Sequence, residues 1–409
     1  MADIKPFRAV RPRNDLAEQI AALPYDVMDS AEAKEMVKGN QYSFLHIDRA
    51  EINFSETVDP HDIKVYEKAR EVLDNMVEQG YFIQDAGESL YIYRQIMDGR
   101  VQTGLVCGSS IDDYANDVIK KHEFTRLDKE QDRIDHIKAL NAQTGPIFLT
   151  YMDKPEVREI INNWTEEHHP VYQFTANDVE QICWVVNCSD TISKLVNLFE
   201  GIDHLYIADG HHRSSAAVQV GMEMRKDGKE GNFNHFLSVL FPSSDLKIWP
   251  YNRVVKDLNG YTTEEFLEKV QEKFAVAPAP SSPYEPESKY SFGMYLDNKW
   301  YKLTAKPEII KADDPVKSLD VAILQDHLLD PLLNIKDPRT DERIDFIGGI
   351  RGVKELERRV GLDMKIAFSM YPTSIDEVID IADINQVMPP KSTWFEPKLL
   401  SGLFINKLT

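Results

Sequence analysis

The stretch Leu205-Tyr-Ile-Ala-Asp-Gly-His-His-Arg-Ser-Ser-Ala-Ala217 constrains the fold more tightly than any other part of the chain. Its apolar run, Leu205 to Ala208, stops on the turn-forming pair Asp209-Gly210 and predicts a buried strand. Ser214, Ser215 and the small residues after them, with Ala217, Val218 and Val220 to pack one face, predict a helix that begins at once. A strand passing directly into a helix points backbone N–H groups and the positive end of the helix dipole at one place, where an anion can sit. Gly210 permits close backbone approach, Arg213 can fork onto phosphate oxygens, and His211 and His212 can give or take a proton. Asp209 to Ser214 is therefore a candidate anion-binding corner, with Asp209 placed to hold a metal ion or to orient a histidine. The same residues would also make an Asx-type turn that caps a helix bearing two exposed histidines.

Further segments carry chemistry. Lys120-Lys-His-Glu-Phe-Thr-Arg126 gathers basic side chains with His122 and Glu123, ahead of a charged helix that includes Asp132, Arg133 and His136. Arg126 and Arg133 would act as fork donors to phosphate, and Glu123 as a general base or metal ligand. A solvated helix laced by pairs such as Asp132 with His136 accounts for the same charges. In Met388-Pro-Pro-Lys-Ser-Thr-Trp-Phe-Glu-Pro-Lys398 the prolines stiffen a loop presenting Lys391, Ser392 and Thr393, groups suited to an anion. Pro24-Tyr-Asp-Val27 would set Asp26 at a site mouth or use it to hold a turn. His168-His169-Pro170 is set aside as a metal doublet, because adjacent residues seldom share one ion and the proline marks a loop. Neither the Walker A nor the Rossmann glycine spacing occurs.

The formal charge of -21, from 47 Lys plus Arg against 68 Asp plus Glu, repels nucleic acid and anionic lipid. Phosphate must then be held by a small focused positive site. No segment has the length of a membrane span, and the N-terminus lacks the apolar run of a signal peptide. Cys107, Cys183 and Cys188 form no Cys-x-x-Cys pair and lie in apolar contexts, which predicts buried thiols in a reducing cytoplasm.

With 409 residues, more than one domain is expected. Helices are predicted over 30–38 (capped by Ser30), 62–79, 128–143, 155–167, 189–199, 263–274 and 316–333. Strands are predicted over 146–151, 171–175, 182–186, 236–240 and 365–368, with hairpins around Met97-Asp-Gly-Arg100 and Asp297-Asn-Lys299. The stretch 277–286, rich in Pro, Ala and Ser, reads as a linker. The alternation argues a layered core around Asp209, an α+β fold divided into an α/β region at 1–245 and an α+β region at 246–409.

Asp209-Gly-His-His-Arg213 resembles the signature loop of the ParB/sulfiredoxin-like fold in the form found in free serine kinases. Pro24–Val27, His122–Thr125, Asp132-Arg133, Asn141–Phe148 and Met388–Lys398 together resemble domain-of-unknown-function family 1015, from one end of the chain to the other. The resemblance implies a kinase that forms O-phosphoserine from free L-serine, with ATP, ADP or pyrophosphate as donor; Mg2+ is expected with it, and Glu123, which is not matched to the family's own Glu, is the candidate base among the residues of this chain. Two other classes compete: a phosphoserine phosphatase or other metal-dependent hydrolase using Asp209, His211 and His212, and a nucleic-acid or partner-binding module like the partition proteins. The net charge and the lack of a long basic stripe disfavour the last.

Overall fold

A computed structural model describes residues 1–55 and 57–409 and divides the chain into two compact units. The first is Met1–Leu246 together with Pro397–Thr409, the second Lys247–Glu396. The final segment, which the sequence assigns to the second region, thus belongs to the first unit.

The first unit is built on a nine-stranded mixed sheet. Its strands are β1 (Ile4–Lys5), β2 (Leu90–Met97), β3 (Arg100–Ser110), β4 (Ile119–Lys120), β5 (Ile147–Tyr151), β6 (Tyr172–Ala176), β7 (Val179–Val186), β8 (Leu205–Asp209) and β9 (His235–Pro242). They lie in the order β4-β8-β5-β9-β3-β2-β7-β6, with β1 added beside β3. The β2–β3 hairpin turns on Asp98 and Gly99, both at positive φ, as a two-residue turn of the required twist demands. Apolar side chains from the sheet (Leu90, Leu105, Leu149, Ile207, Leu240) pack with Val157, Ile161, Leu195, Phe199, Ala216, Ala217 and Val220 from helices. A second cluster joins Val65, Ala69, Leu73 and Met76 of the helix Ile63–Glu78 to Phe44, Leu45 and Ile405.

Sheet topology decides where the chemistry can sit. β4 and β8 are parallel, pairing Ile119 with Leu205 and Lys120 with Tyr206, so the chain leaves both strands on the same side. One exit is the loop 121–126, which leads into helix α1 (Leu127–Leu140); the other is Gly210, which opens helix α2 (His211–Lys226). β5 runs antiparallel to β8, which brings its beginning, after Gly145-Pro146, to the same end. Crevices beyond the carboxyl ends of parallel strands are the habitual ligand sites of α/β sheets.

The second unit carries a six-stranded antiparallel sheet. Its strands are β10 (Tyr251–Val255), β11 (Phe274–Pro278), β12 (Ser291–Leu296), β13 (Lys299–Ala305), β14 (Ile344–Gly348) and β15 (Ile366–Met370), in the order β11-β13-β12-β15-β10-β14. Val254, Trp300, Ile347 and Ala367 meet Leu356 of the helix Lys354–Leu362 in its core. The fold is α+β throughout.

Several local expectations need correction. Asp29, not Ser30, caps the helix Ser30–Met36, accepting from Ala31 and Glu32 while Glu32 reaches back in a capping box. The expected linker begins inside β11, an edge strand that tolerates Pro278 because it ends there. The stretch 316–333 is not one helix: an α-turn at Asp320–Leu324 widens into a π-helical turn at Gln325–Leu329. Cys107 and Cys183 are buried, but Cys188 is exposed at the start of the helix Ser189–Glu200, where its apolar neighbours Val185 and Val186 belong to the strand before it.

The last residues are stitched into the first unit by backbone. Asn406–Lys407 pairs with Ala142–Gln143, and the Asn232 N–H donates to the Leu408 carbonyl at 2.7 Å. Gly231 makes this approach possible: its φ is 150°, and a Cβ there would lie 2.0 Å from the Leu408 oxygen. Gly231→Ala is expected to lower the unfolding free energy by about 2 kcal/mol or more, read from urea denaturation curves.

Candidate active site

The corner after β8 is held open by glycine and closed by charge. Gly210 sits at φ 98°, ψ 31°, a left-handed conformation that lets the strand turn straight into α2. The Asp209 carboxylate accepts the Gly210 N–H at 2.9 Å through Oδ1 and faces the Lys398 ammonium at 3.2 Å through Oδ2. Arg213 Nη2 stands 3.9 Å from the same oxygen, while Nη1 donates to the Pro146 carbonyl at 2.7 Å. Burial pushes the Asp209 carboxyl up, but the charges of Lys398 and Arg213 outweigh it and hold the group ionised well below its ordinary value. The first-turn N–H groups of α2, on His211, His212 and Arg213, have no acceptor within the helix by its geometry.

The histidines beside this pair are neutral. His122 and His211 meet edge to face with ring centroids 4.5 Å apart, both nearly out of contact with solvent. Burial brings the His122 imidazole down to about 4, and burial together with the adjacent His122 holds His211 well below its ordinary value. His211 Nδ1 lies 3.9 Å from the carboxylate of Glu123, whose side chain is 42% exposed at the edge of the corner. His211 Nε2 is buried without a hydrogen-bond partner among the described residues, a state that costs free energy unless a ligand or water meets it. His212 is lowered by burial and opposed by the charges of Asp26 and Glu130; its Nε2 accepts the Arg126 N–H at 3.1 Å. Asp26 is thereby placed at the exposed rim near His212.

The remaining candidates are placed differently from one another. Arg126 reaches the corner with its backbone alone, because its exposed guanidinium is paired with Asp128 at 2.8 Å. Arg133 is no surface fork: it is buried, 2.7 Å from Asp132 and stacked 3.7 Å over the Tyr25 ring. It lines a small pocket with Arg213, Tyr25, Asp48, His136 and Thr144. Ser214 is fully buried and spends its hydroxyl on the His211 carbonyl at 2.9 Å. Lys391, Ser392 and Thr393 fold within the second unit, where the Ser392 hydroxyl donates to the Pro389 carbonyl at 2.5 Å. His122, Glu123, Asp209, Gly210, His211, His212 and Arg213 are thus gathered at one corner of the first unit.

A family model described as "Protein of unknown function (DUF1015)" matches residues 4–322. The chain belongs to the DUF1015 family. No curated protein matches this DUF1015 chain. Among solved structures it is similar to a mutant free serine kinase in complex with ADP, at 14% identity and a TM-score of 0.38, covering 77% of this chain and 95% of that one. A free serine kinase in complex with AMP gives 15% and 0.37, with coverage of 77% and 94%. A conserved hypothetical protein from Pyrococcus furiosus gives 14% and 0.35, with coverage of 73% and 93%. The chemistry available at the DUF1015 corner is that of its own side chains.

Lys398 is the residue that sequence reasoning missed. It closes the proline-rich motif, and only the return of the final segment to the first unit brings it to Asp209. Among the described residues no group of three or more His, Cys, Asp or Glu is arranged to hold a metal ion, and Asp209 already faces two cations. The donor set therefore does not fit a metal held by the protein. No helix among the described residues is long and apolar enough to cross a membrane.

The neutral histidines set a pH dependence. His122 binds its proton at about 4 when folded and near the ordinary 6.5 when unfolded, so between these values the unfolded state carries more protons. Stability is full above pH 6.5 and falls as the pH drops towards 4, by up to about 3 kcal/mol for one such group. His136, also brought down to about 4 by burial, adds to the same window. Urea midpoints measured from pH 7.5 to 4.5 are expected to fall steadily, and His122→Asn to flatten part of that fall.

Proposed function

We propose that this DUF1015 protein transfers a phosphoryl group to the hydroxyl of a small metabolite, with free L-serine as acceptor and O-phosphoserine as product. The observation that carries the reading is the Lys398–Asp209–Arg213 constellation at the opening of α2, with Glu123 beside it. Fixed cations and first-turn N–H groups supply what phosphoryl transfer asks of a protein: charge neutralisation and positioning rather than covalent work. The loop Asp209–Arg213, similar to that of free serine kinases, narrows the acceptor to serine.

In this reading the α2 N-terminus and Lys398 hold the phosphoryl oxygens, and Asp209 keeps Lys398 and Arg213 in place. The bond from phosphorus to the donor's leaving oxygen breaks as the serine oxygen bonds to phosphorus. Glu123 takes the hydroxyl proton. His211 and His212 stay uncharged, donating hydrogen bonds without competing with Lys398 for the phosphate. Mg2+ enters with the phosphates of ATP, ADP or pyrophosphate as part of the donor substrate, and no protein residue is assigned to hold it.

Phosphorus NMR of the purified protein with L-serine, Mg2+ and each donor in turn tests the reading. A new O-phosphoserine resonance with at least one donor is expected; its absence with all three, together with failure to consume O-phosphoserine, sinks the serine assignment. Lys398→Met is expected to lower kcat about a hundredfold or more, as does loss of a preorganised donor elsewhere. Glu123→Gln is expected to lower kcat by a similar factor while leaving donor KM nearly unchanged. Arg213→Ala is the poorer probe, since that buried side chain also ties Pro146 to α2 and its loss would unsettle the fold.

A further inference from the structure

Three arginines are buried among the described residues: Arg133, Arg213 and Arg253. Arg133 is paired with Asp132, and Arg213 faces Asp209. Arg253, in the second unit, is the most buried of the three at 3% exposure, and no carboxylate among the described residues lies within ion-pair distance of it. One terminal nitrogen donates to the Tyr251 carbonyl, and the other to the Lys391 carbonyl at 3.0 Å. Its charge stands 5.5 Å from the centre of the Phe346 ring. Burial with no acidic partner brings its pKa down to about 10, so the group remains a cation at neutral pH.

A buried charge answered only by carbonyls and a ring is costly, and natural interiors pair such charges with an anion. Acids of the neighbouring segments are engaged elsewhere: Glu396 accepts the Trp394 indole N–H at 2.9 Å, and Asp345 is 2.8 Å from Arg359. What lies beside Arg253 instead is the backbone of Lys391, whose carbonyl accepts from it at 3.0 Å. Lys391 is exposed, stands in the left-handed conformation at φ 59°, and carries its ammonium 5.4 Å from the Tyr251 ring centre. Its loop is fixed by Ser392 donating to Pro389 and by Thr373 donating to the Ser392 carbonyl at 3.0 Å.

We infer that Arg253 and Lys391 form an anion site in the second unit that takes a phosphate monoester, its dianionic head lying between the guanidinium and the ammonium. A dianion neutralises both cations, and the guanidinium keeps donors beyond those given to the two carbonyls. The exposed ammonium marks the side of entry. The rings of Tyr251 and Phe346 offer apolar surface to the organic part of the ester, which free phosphate lacks. None of these residues belongs to the corner in the first unit, so the inference does not rest on the proposed phosphoryl transfer.

Isothermal titration of the full chain at low salt with inorganic phosphate, O-phosphoserine and AMP tests it. Saturable binding of a monoester, tighter than that of inorganic phosphate, is expected to persist in Lys398→Met and to weaken at least tenfold in Lys391→Met. Arg253→Met is expected to keep its melting temperature without ligand within a few degrees of the parent but to lose the rise that the monoester gives. The inference is overturned if Lys391→Met and Arg253→Met both bind with unchanged affinity and stoichiometry. It is equally overturned if all monoester binding disappears in Lys398→Met, which would place the anion in the first unit alone and leave the phosphoryl-transfer reading standing.

Discussion

The ion pair between Asp209 and Lys398 is the interaction on which the corner depends. A carboxylate at the end of a buried strand, beside two apolar-packed imidazoles, would be protonated or displaced without a cation at hydrogen-bond distance. Lys398 supplies that cation, and Arg213 adds a second at 3.9 Å while its other arm fastens α2 to the chain entering β5. The carboxylate in turn stops the two cations from repelling one another at a helix N-terminus, where a positive charge is already disfavoured by the dipole. The geometry of the corner therefore follows from three charges balanced in a small volume rather than from any one strong bond.

Burial, rather than that balance, explains why the histidines are uncharged: it lowers both His122 and His211, while the Asp209 carboxylate acts the other way. Fixed charge is assigned to Lys398 and Arg213, and the imidazoles are left as directional hydrogen-bonding groups. Glu123 sits at the exposed edge, so it can reach a hydroxyl entering from solvent while facing the buried ring of His211. The parallel pairing of β4 and β8 brings Glu123 and Asp209 together although they are far apart in the chain.

The corner is legible in the sequence because its signals are local. An apolar run, an Asp-Gly stop and a small-residue helix occupy adjacent positions, and each acts through backbone conformation. Lys398 is not legible, since 189 residues separate it from Asp209 and its arrival depends on the final segment recrossing the first unit. Arg133 misleads for a related reason. The charge pattern Asp132-Arg133 suits a solvated helix face, yet the Tyr25 ring and the Asp132 carboxylate turn the pair inward. Ser214 looks like a phosphate ligand by its position, but in the first turn of a helix its hydroxyl folds back onto the His211 carbonyl. Cys188 inherits an apolar reading from the strand that ends just before it.

Charge is handled differently in the two units. A chain with 21 more acids than bases has every opportunity to bury its arginines against carboxylates. Arg133 follows that pattern with Asp132, and Arg213 follows it loosely with Asp209. Arg253 departs from it, although carboxylates are abundant in the second unit and several are tied into other pairs such as Asp345 with Arg359. An internal carboxylate would satisfy Arg253 permanently and stiffen the loop; leaving it to carbonyls and a ring keeps its charge available while holding Lys391 in position. The same logic separates the corner, where Asp209 restrains two cations that must stay in place, from the second unit, where Arg253 has no carboxylate within ion-pair distance among the described residues.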